Sequence, residues 1–204
     1  MRRVIFATLL VLFSFCGCVG HVGTAKAKEV QNQISAEAYC VLESSTSRIL
    51  AAKNEDKRLP MASTTKIVTA ILVIENLDDL DEIVEIPREA TGIEGSSLYL
   101  RQGEHLSAYE LLLGLMLRSG NDAAMALALH TFGSLEAYQK AANEFVLSLG
   151  CENTNIVTPN GLHDDNHYTS AKDLAKISAY AMKNDAFREI VAKTRTTISN
   201  EGSC

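Results

Sequence analysis

A serine and a lysine three residues apart, Ser63 and Lys66, lie at the start of an apolar segment, 59–76. The apolar spacing from Ser63 onward is helical, so the two side chains fall on one helix face and the lysine amine can reach the serine hydroxyl. A serine hydroxyl becomes a nucleophile when a neighbouring base takes its proton. Burial lowers the pKa of a lysine, so a neutral amine can be that base. The pair is therefore chemically capable of catalysis through an acyl-enzyme.

A purely structural interpretation of this pair is also open. One Ser-x-x-Lys is expected by chance in a chain with this many serines and lysines. Ser63 would then be a helix N-cap and Lys66 a solvated residue of the first turn. Against this, a lysine in a first turn opposes the helix dipole, where a surface helix would favour an acid.

A second polar group, Ser119-Gly120-Asn121, lies at the joint between two predicted helices. A glycine break there is expected to leave a hydroxyl and an amide exposed on a tight turn. Such a turn suits a proton relay through Ser119 and a contact from Asn121 to a substrate amide. An ordinary turn between helices, with Asn121 as a cap, is the alternative.

The pattern of apolar residues predicts strands first, then several helices, then one more strand. Ser107 and Glu110 form a capping box, a start signal for one of these helices. Helices are predicted at 63–75, 107–118, 122–130, 134–149, 170–182 and 185–191, and strands at 38–42, 48–51, 83–86, 96–100 and 193–199. This order indicates an α+β fold, in which a helical cluster packs on an antiparallel sheet.

The first 27 residues have the layout of a secretory signal peptide. Two arginines precede an apolar run at 4–15, and Ala25-Lys26-Ala27 forms an A-x-A cleavage site. An uncleaved membrane anchor is the alternative, because no charge interrupts residues 4–25. In both cases we expect the remaining domain, 28–204, to work outside the cytoplasm, in the cell envelope or as a secreted protein.

The amino-acid composition and the net charge limit the classes of molecule that this protein is expected to bind. Apolar residues make up 47% of the chain and charged residues 22%, which favours a folded core over disorder. Cleavage after residue 27 would remove three of the 19 basic residues and none of the 25 acidic ones, which leaves a formal net charge of −9. Such an excess of acid argues against nucleic acid as a partner. The outer face of the cytoplasmic membrane is a candidate location.

The motifs and their flanks resemble one family. Ser63-Thr64-Thr65-Lys66 and Ser119-Gly120-Asn121 lie within PMASTTKIVTA and GSSLYLRQGEHLSAYELLLGLMLRSGNDAA, and TPNGLHDDNHYTSAKDLAKI follows. These segments, in this order, are similar to the penicillin-binding D-alanyl-D-alanine carboxypeptidases, serine acyl-transferases related to the class A β-lactamases. The resemblance spans 38–199 and implies the β-lactamase/transpeptidase-like fold.

The resemblance also implies roles for the four motif residues. Ser63 would attack the carbonyl between the two terminal D-alanines of a peptidoglycan stem peptide, and Lys66 would be the general base. Ser119 would relay a proton to the leaving D-alanine, and Asn121 would hold the substrate amide. Water would release the shortened peptide, whereas β-lactam antibiotics would acylate Ser63 and remain. Neither a metal nor an organic cofactor is implied.

The chain departs from the family at the third motif, Lys-Thr-Gly or a close variant. No segment after Asn121 fits it, since Lys193-Thr194-Arg195 lacks the glycine. We therefore expect 28–204 to be a C-terminally truncated catalytic domain without the last strands of the sheet. A catalytically impaired remnant of the penicillin-binding fold, or a binding module, is the alternative to an active enzyme.

Two further functions compete with this interpretation. A β-lactamase would need a carboxylate to activate the deacylating water, and Glu136 and Glu144 are the candidates. A zinc protein would use His163 and His167, which flank Asp164 and Asp165. Because both histidines lie in a polar loop rather than on a helix face, we expect them to be solvated.

Overall fold

Six α-helices carry most of the regular structure in residues 34–197, the part of the chain that the computed structural model describes. They are α1 (Lys66–Asn76), α2 (Ala108–Arg118), α3 (Asn121–Phe132), α4 (Leu135–Ser148), α5 (Ala171–Ala181) and α6 (Asp185–Ala192). Each lies where apolar spacing and capping residues predicted a helix. All six belong to one compact unit, Ala36–Cys204. The predicted signal peptide, 1–27, lies outside the described residues.

Side-chain caps define where several helices begin. Ser107 accepts a hydrogen bond from the backbone N–H of Glu110 at 3.1 Å, and the Glu110 carboxylate accepts one from the N–H of Ser107 at 3.0 Å. The predicted capping box is therefore present at the start of α2. Ser134 and Ser170 cap α4 and α5 through their hydroxyl oxygens. None of the described helices is long and apolar enough to cross a membrane.

Six short strands pair into three two-stranded antiparallel sheets within the described residues. They are β1 (Tyr39–Leu42), β2 (Ile49–Lys53), β3 (Leu59–Pro60), β4 (Ile83–Glu85), β5 (His105–Ser107) and β6 (Tyr168–Thr169). The β1–β2 pair is the predicted hairpin, and β4 pairs with β5. β3 pairs with β6, which brings the chain just before Ser63 beside the end of the polar loop 158–168.

The segment 96–100 does not form the predicted strand. The backbone N–H groups of Leu98 and Leu100 donate instead to the carboxylate of Asp122, at 2.9 and 3.1 Å. Tyr99 between them has a φ of 62°, which is incompatible with a strand. The prediction was wrong because a buried carboxylate from a distant helix takes the hydrogen bonds that a neighbouring strand would receive.

The strand predicted at 193–199 is not seen in its described part either. The helix α6 ends at Ala192, and residues 193–197 follow it without strand pairing. The backbone N–H of Lys193 donates to the carbonyl oxygen of Ile190, so Lys193 caps the end of α6. The β-branched pattern that predicted a strand therefore starts on a residue that belongs to the helix end. The remaining residues of the prediction, 198 and 199, lie outside the described part of the chain.

The helix α1 lies at the centre of the apolar core. Ile71 and Val73 on one side pack into a cluster with residues of α2 and α3, and Val68 and Leu72 pack into a second cluster around Tyr138 of α4. Because both faces of α1 are buried, its first residue, Lys66, is buried as well. Burial of apolar side chains at roughly 25 cal/mol per Å² fixes this helix in place.

Candidate active site

A turn of 3₁₀ helix, Ala62–Thr65, leads into α1 and carries Ser63. Ser63 is exposed and is the second residue of this turn. The N-cap positions belong to Met61, before the turn, and to Thr65, before α1. Lys66 is the first residue of α1 and only 2% exposed. The interpretation of Ser63 as an N-cap followed by a solvated lysine is therefore wrong.

The ammonium group of Lys66 has one hydrogen-bond acceptor for each of its three hydrogens. Nζ lies 3.2 Å from Oγ of Ser63, 2.7 Å from Oδ1 of Asn121 and 2.7 Å from the carbonyl oxygen of Asn160. These acceptors come from three separate parts of the chain. The arrangement holds the amine in one position, beside the serine hydroxyl.

Burial favours the neutral form of this amine. It lowers the pKa of Lys66 from its ordinary value near 10.5 to about 8, although the negative charge of Asp122 acts in the opposite direction. About a tenth of the lysine is therefore neutral near pH 7. A neutral amine 3.2 Å from the hydroxyl can accept its proton and leave a nucleophilic oxygen.

The turn between α2 and α3 supplies Asn121, as the sequence predicted, but the Asn121 side chain is buried and not exposed as expected. Ser119 ends α2 in a left-handed conformation with a φ of 57°, Gly120 breaks the helix, and Asn121 begins α3. Nδ2 of Asn121 donates to the carbonyl oxygen of Glu94 at 2.6 Å, which turns Oδ1 towards Lys66. Lys66 thus hydrogen-bonds to both Ser63 and Asn121. Ser119 lies two positions before Asn121 in the turn, and its hydroxyl takes no part in these hydrogen bonds.

Asp122 is a site residue that the sequence analysis missed. Its carboxylate is almost fully buried and accepts hydrogen bonds from Oγ of Ser97 at 2.6 Å and from the backbone of Leu98 and Leu100. It therefore fixes the segment 97–100 to the start of α3 and places a negative charge near Lys66. An acid in a first helical turn is common, so its sequence position gave no specific signal.

The polar loop 158–168 closes the site from the other side. Gly161 has a φ of 82°, and a Cβ atom there would lie 2.0 Å from the carbonyl oxygen of Ala62 and 2.9 Å from Oγ1 of Thr65. Only glycine permits this approach of the loop to the turn that carries Ser63. The preceding residue, Asn160, consequently presents its carbonyl oxygen to Lys66. No sequence pattern indicated either contact.

The two loop histidines do not share a site. His163 is exposed and lies 3.5 Å from the carboxylate of Asp165, as expected for a solvated residue. His167 is buried, and both of its ring nitrogens are hydrogen-bonded to the protein. The expectation that both are solvated is wrong for His167. Among the described residues, no group of three or more histidine, cysteine or acidic side chains could hold a metal ion.

Comparison with known proteins identifies the family. A family profile described as D-alanyl-D-alanine carboxypeptidase matches residues 24–201. The chain belongs to this family. It is 35% identical over 155 residues to the D-alanyl-D-alanine carboxypeptidase DacF of Bacillus subtilis, and 32% identical over 195 residues to DacA of Escherichia coli. These matches cover 74% and 87% of this chain, but 40% and 47% of the relatives, so the chain spans less than half of their length.

Solved structures of the carboxypeptidase family and its neighbours share the fold. Penicillin binding protein 5 from Haemophilus influenzae superposes with a TM-score of 0.78 and 32% identity, over 82% of this chain and 51% of that one. The S216A mutant of the Streptomyces K15 DD-transpeptidase superposes with a TM-score of 0.74 and 32% identity, over 77% and 65%. The predicted α+β fold of the β-lactamase/transpeptidase-like type is confirmed.

The two glutamates considered for a β-lactamase lie away from the site of this carboxypeptidase-family chain. Glu136 is exposed in the first turn of α4. Glu144 is exposed on the same helix, where it lies 4.0 Å from Nζ of Lys140. Neither carboxylate takes part in the hydrogen bonds around Lys66 described above, so nothing in their placement favours a role in activating water.

Proposed function

We propose that this protein is a serine-type D-Ala-D-Ala carboxypeptidase. It removes the terminal D-alanine from peptidoglycan stem peptides through an acyl-enzyme on Ser63, and β-lactams acylate the same hydroxyl. Membership of the carboxypeptidase family supports the hydrolase class. Because the chain spans less than half the length of the two relatives named above, the activity of the whole protein is part of this proposal.

One observation carries the proposal: a nearly fully buried lysine amine lies 3.2 Å from a solvent-accessible serine hydroxyl. Its pKa of about 8 leaves a neutral fraction at physiological pH. A lysine that served only as a surface residue would keep its amine in water, because moving an amine out of water costs free energy. The exposed serine leaves a path for a substrate carbonyl.

The proposed reaction uses the roles that the family resemblance implies for the four motif residues. Neutral Lys66 takes the proton of Ser63 while Oγ attacks the carbonyl carbon of the penultimate D-alanine. The C–N bond breaks, and Ser119 relays a proton to the leaving amine, which departs as D-alanine. Asn121 contacts the amide of the stem peptide. Water then attacks the acyl-enzyme, which releases the shortened peptide and returns the proton to Ser63.

We place this reaction outside the cytoplasm. Peptidoglycan stem peptides lie in the bacterial cell envelope, and the predicted signal peptide, 1–27, supplies a route for export. Both the envelope and the outer face of the cytoplasmic membrane would give access to this substrate. Detection of the protein in the extracytoplasmic fraction of cells, with a new N-terminus at Lys28, would support this location.

Fluorescent penicillin labelling of the purified chain tests the proposal. Wild type should be labelled covalently and Ser63→Ala should not. Ser45→Ala is the matched control, since it removes an exposed serine hydroxyl from the turn between β1 and β2 and should leave labelling intact. Release of D-alanine from a stem pentapeptide then tests turnover. Absence of label on folded wild type would contradict the proposal and favour a non-catalytic binding module.

A further inference from the structure

His167 connects the polar loop to the turn that carries Ser63. Its Nε2 lies 2.7 Å from Oγ1 of Thr65, across 102 positions of the chain. Thr65 lies between Ser63 and Lys66 and is fully buried. Gly161 approaches the same turn, and Asn160 contacts Lys66 directly after it, so His167 is a further attachment between the loop and this part of the chain.

The hydrogen bonds of His167 determine where its proton lies. Nδ1 accepts from the backbone N–H groups of Val157 at 2.9 Å and Thr158 at 3.2 Å, so it carries no hydrogen. The proton of the neutral ring is therefore on Nε2, which donates to Oγ1 of Thr65. The Thr65 hydroxyl in turn donates to the carbonyl oxygen of Ala62 at 2.8 Å. In this series of hydrogen bonds, which runs from the two backbone N–H groups through His167 and Thr65 to Ala62, every donor faces an acceptor.

Protonation of His167 would break this series. An imidazolium carries a hydrogen on Nδ1, which would point at two N–H donors. The neighbouring charge is the carboxylate of Asp164, on the same loop. The ring also faces the hydroxyl of Thr65 on the 3₁₀ turn and the backbone N–H groups of Val157 and Thr158 at the start of the loop. Burial lowers the pKa of His167, with Asp164 acting in the opposite direction, so the ring is neutral at physiological pH.

We propose that His167 is a positioning residue for the Ser63–Lys66 pair. Neutral His167 holds the 3₁₀ turn against the loop, and its protonation releases the turn and stops acylation. The inference rests on the proposed function, in which Ser63 is acylated with Lys66 as base. It assigns a role to a histidine that contacts neither the serine nor the lysine.

The proposal predicts a change of slope in the pH profile of acylation. Below the pKa of Lys66, each pH unit costs about a factor of ten, because one deprotonated group is required. Below the pKa of His167, two deprotonated groups are required, and each pH unit costs about a factor of one hundred. The plot of log rate against pH should therefore steepen from a slope of one to a slope of two.

Rates of penicillin acylation, measured from about pH 9 to one pH unit below the His167 pKa that an NMR titration gives, test this in three forms of the full chain. Wild type should show the steeper acid limb. His167→Gln should react more slowly near pH 7 and keep a slope of one, because glutamine can donate to Thr65 but does not titrate. His163→Gln, at the exposed histidine, should match wild type. A slope of two in His167→Gln, or a slope of one in wild type, would overturn the proposal.

A readout independent of activity separates this inference from the proposed function. Nitrogen NMR of the imidazoles should show His167 protonated on Nε2 at neutral pH, and the amide signals of Ser63 and Thr65 should move as His167 titrates. Unmoved amide signals would overturn the inference even in a chain that penicillin does not label. If His167→Gln fails to fold, Thr65→Val, which removes the hydroxyl partner, should instead slow acylation of a folded chain.

Discussion

The carbonyl oxygen of Asn160 lies 2.7 Å from Nζ of Lys66, although the two residues are 94 positions apart in the chain. This contact shows that the Ser63–Lys66 pair is completed by a distant loop and not by one helical turn alone. The loop can approach so closely because Gly161 has no Cβ atom to meet the backbone of Ala62. The amine is consequently held beside Ser63 and shielded from water, which is the environment that lowers its pKa.

Replacing Lys66 by alanine should lower the rate of penicillin acylation by about 10²–10⁴-fold, because a positioned general base contributes a factor of that size. Labelling kinetics measure the loss, and circular dichroism checks that the variant folds. Lys57→Ala removes an exposed lysine paired with Glu37 and should react like wild type. Undiminished labelling of Lys66→Ala would show that the lysine is not the base.

The acylation rate should rise with pH and level off above about pH 8, as Lys66 loses its proton. Burial lowers the pKa of Lys66 to about 8 in the folded chain, whereas its pKa in the unfolded chain is near 10.5. Between these two pH values the unfolded chain therefore binds more protons than the folded chain. The free energy of unfolding should therefore also rise with pH from about 8 to about 10.5. Urea unfolding of wild type and Lys66→Ala measures this, and an equal rise in both would contradict it.

Asp122→Asn should move the midpoint of the acylation profile to lower pH, because the carboxylate's negative charge raises the pKa of Lys66. The substitution should also cost about 1.5–3 kcal/mol of unfolding free energy through weaker hydrogen bonds to segment 97–100. Glu136→Gln is the matched control, since that exposed carboxylate takes no part in the hydrogen bonds around Lys66 or His167. An unchanged midpoint in Asp122→Asn would show that its charge does not reach the amine.

Gly161→Ala should lower the free energy of unfolding by about 2–4 kcal/mol and abolish labelling, because the new methyl group would overlap the carbonyl of Ala62. Thermal unfolding and penicillin labelling measure the two effects. Gly103→Ala has a similar φ of 77° but no heavy atom within 4 Å of the new Cβ, so it should cost only about 1–2 kcal/mol and keep labelling. Equal effects in both variants would mean that backbone strain, and not contact with the turn, matters at Gly161.

Local features of the site could be predicted without coordinates. The three-residue spacing of Ser63 and Lys66, and the glycine break before Asn121, depend on helical periodicity and on caps within a few residues. The capping box at Ser107 was predicted for the same reason. Such features follow from short-range geometry, which the order of residues determines.

The tertiary structure decided which distant groups surround Lys66. A polar loop was expected to lie in solvent, yet it buries His167 and brings Asn160 to the amine. The segment 96–100 has the composition of a strand, yet Asp122 takes its hydrogen bonds. The order of residues thus determined the local pairing of serine and lysine. Only the packing of the whole core determined the burial and the partners of this lysine, because contacts across 94 or 102 positions depend on how all the helices pack together.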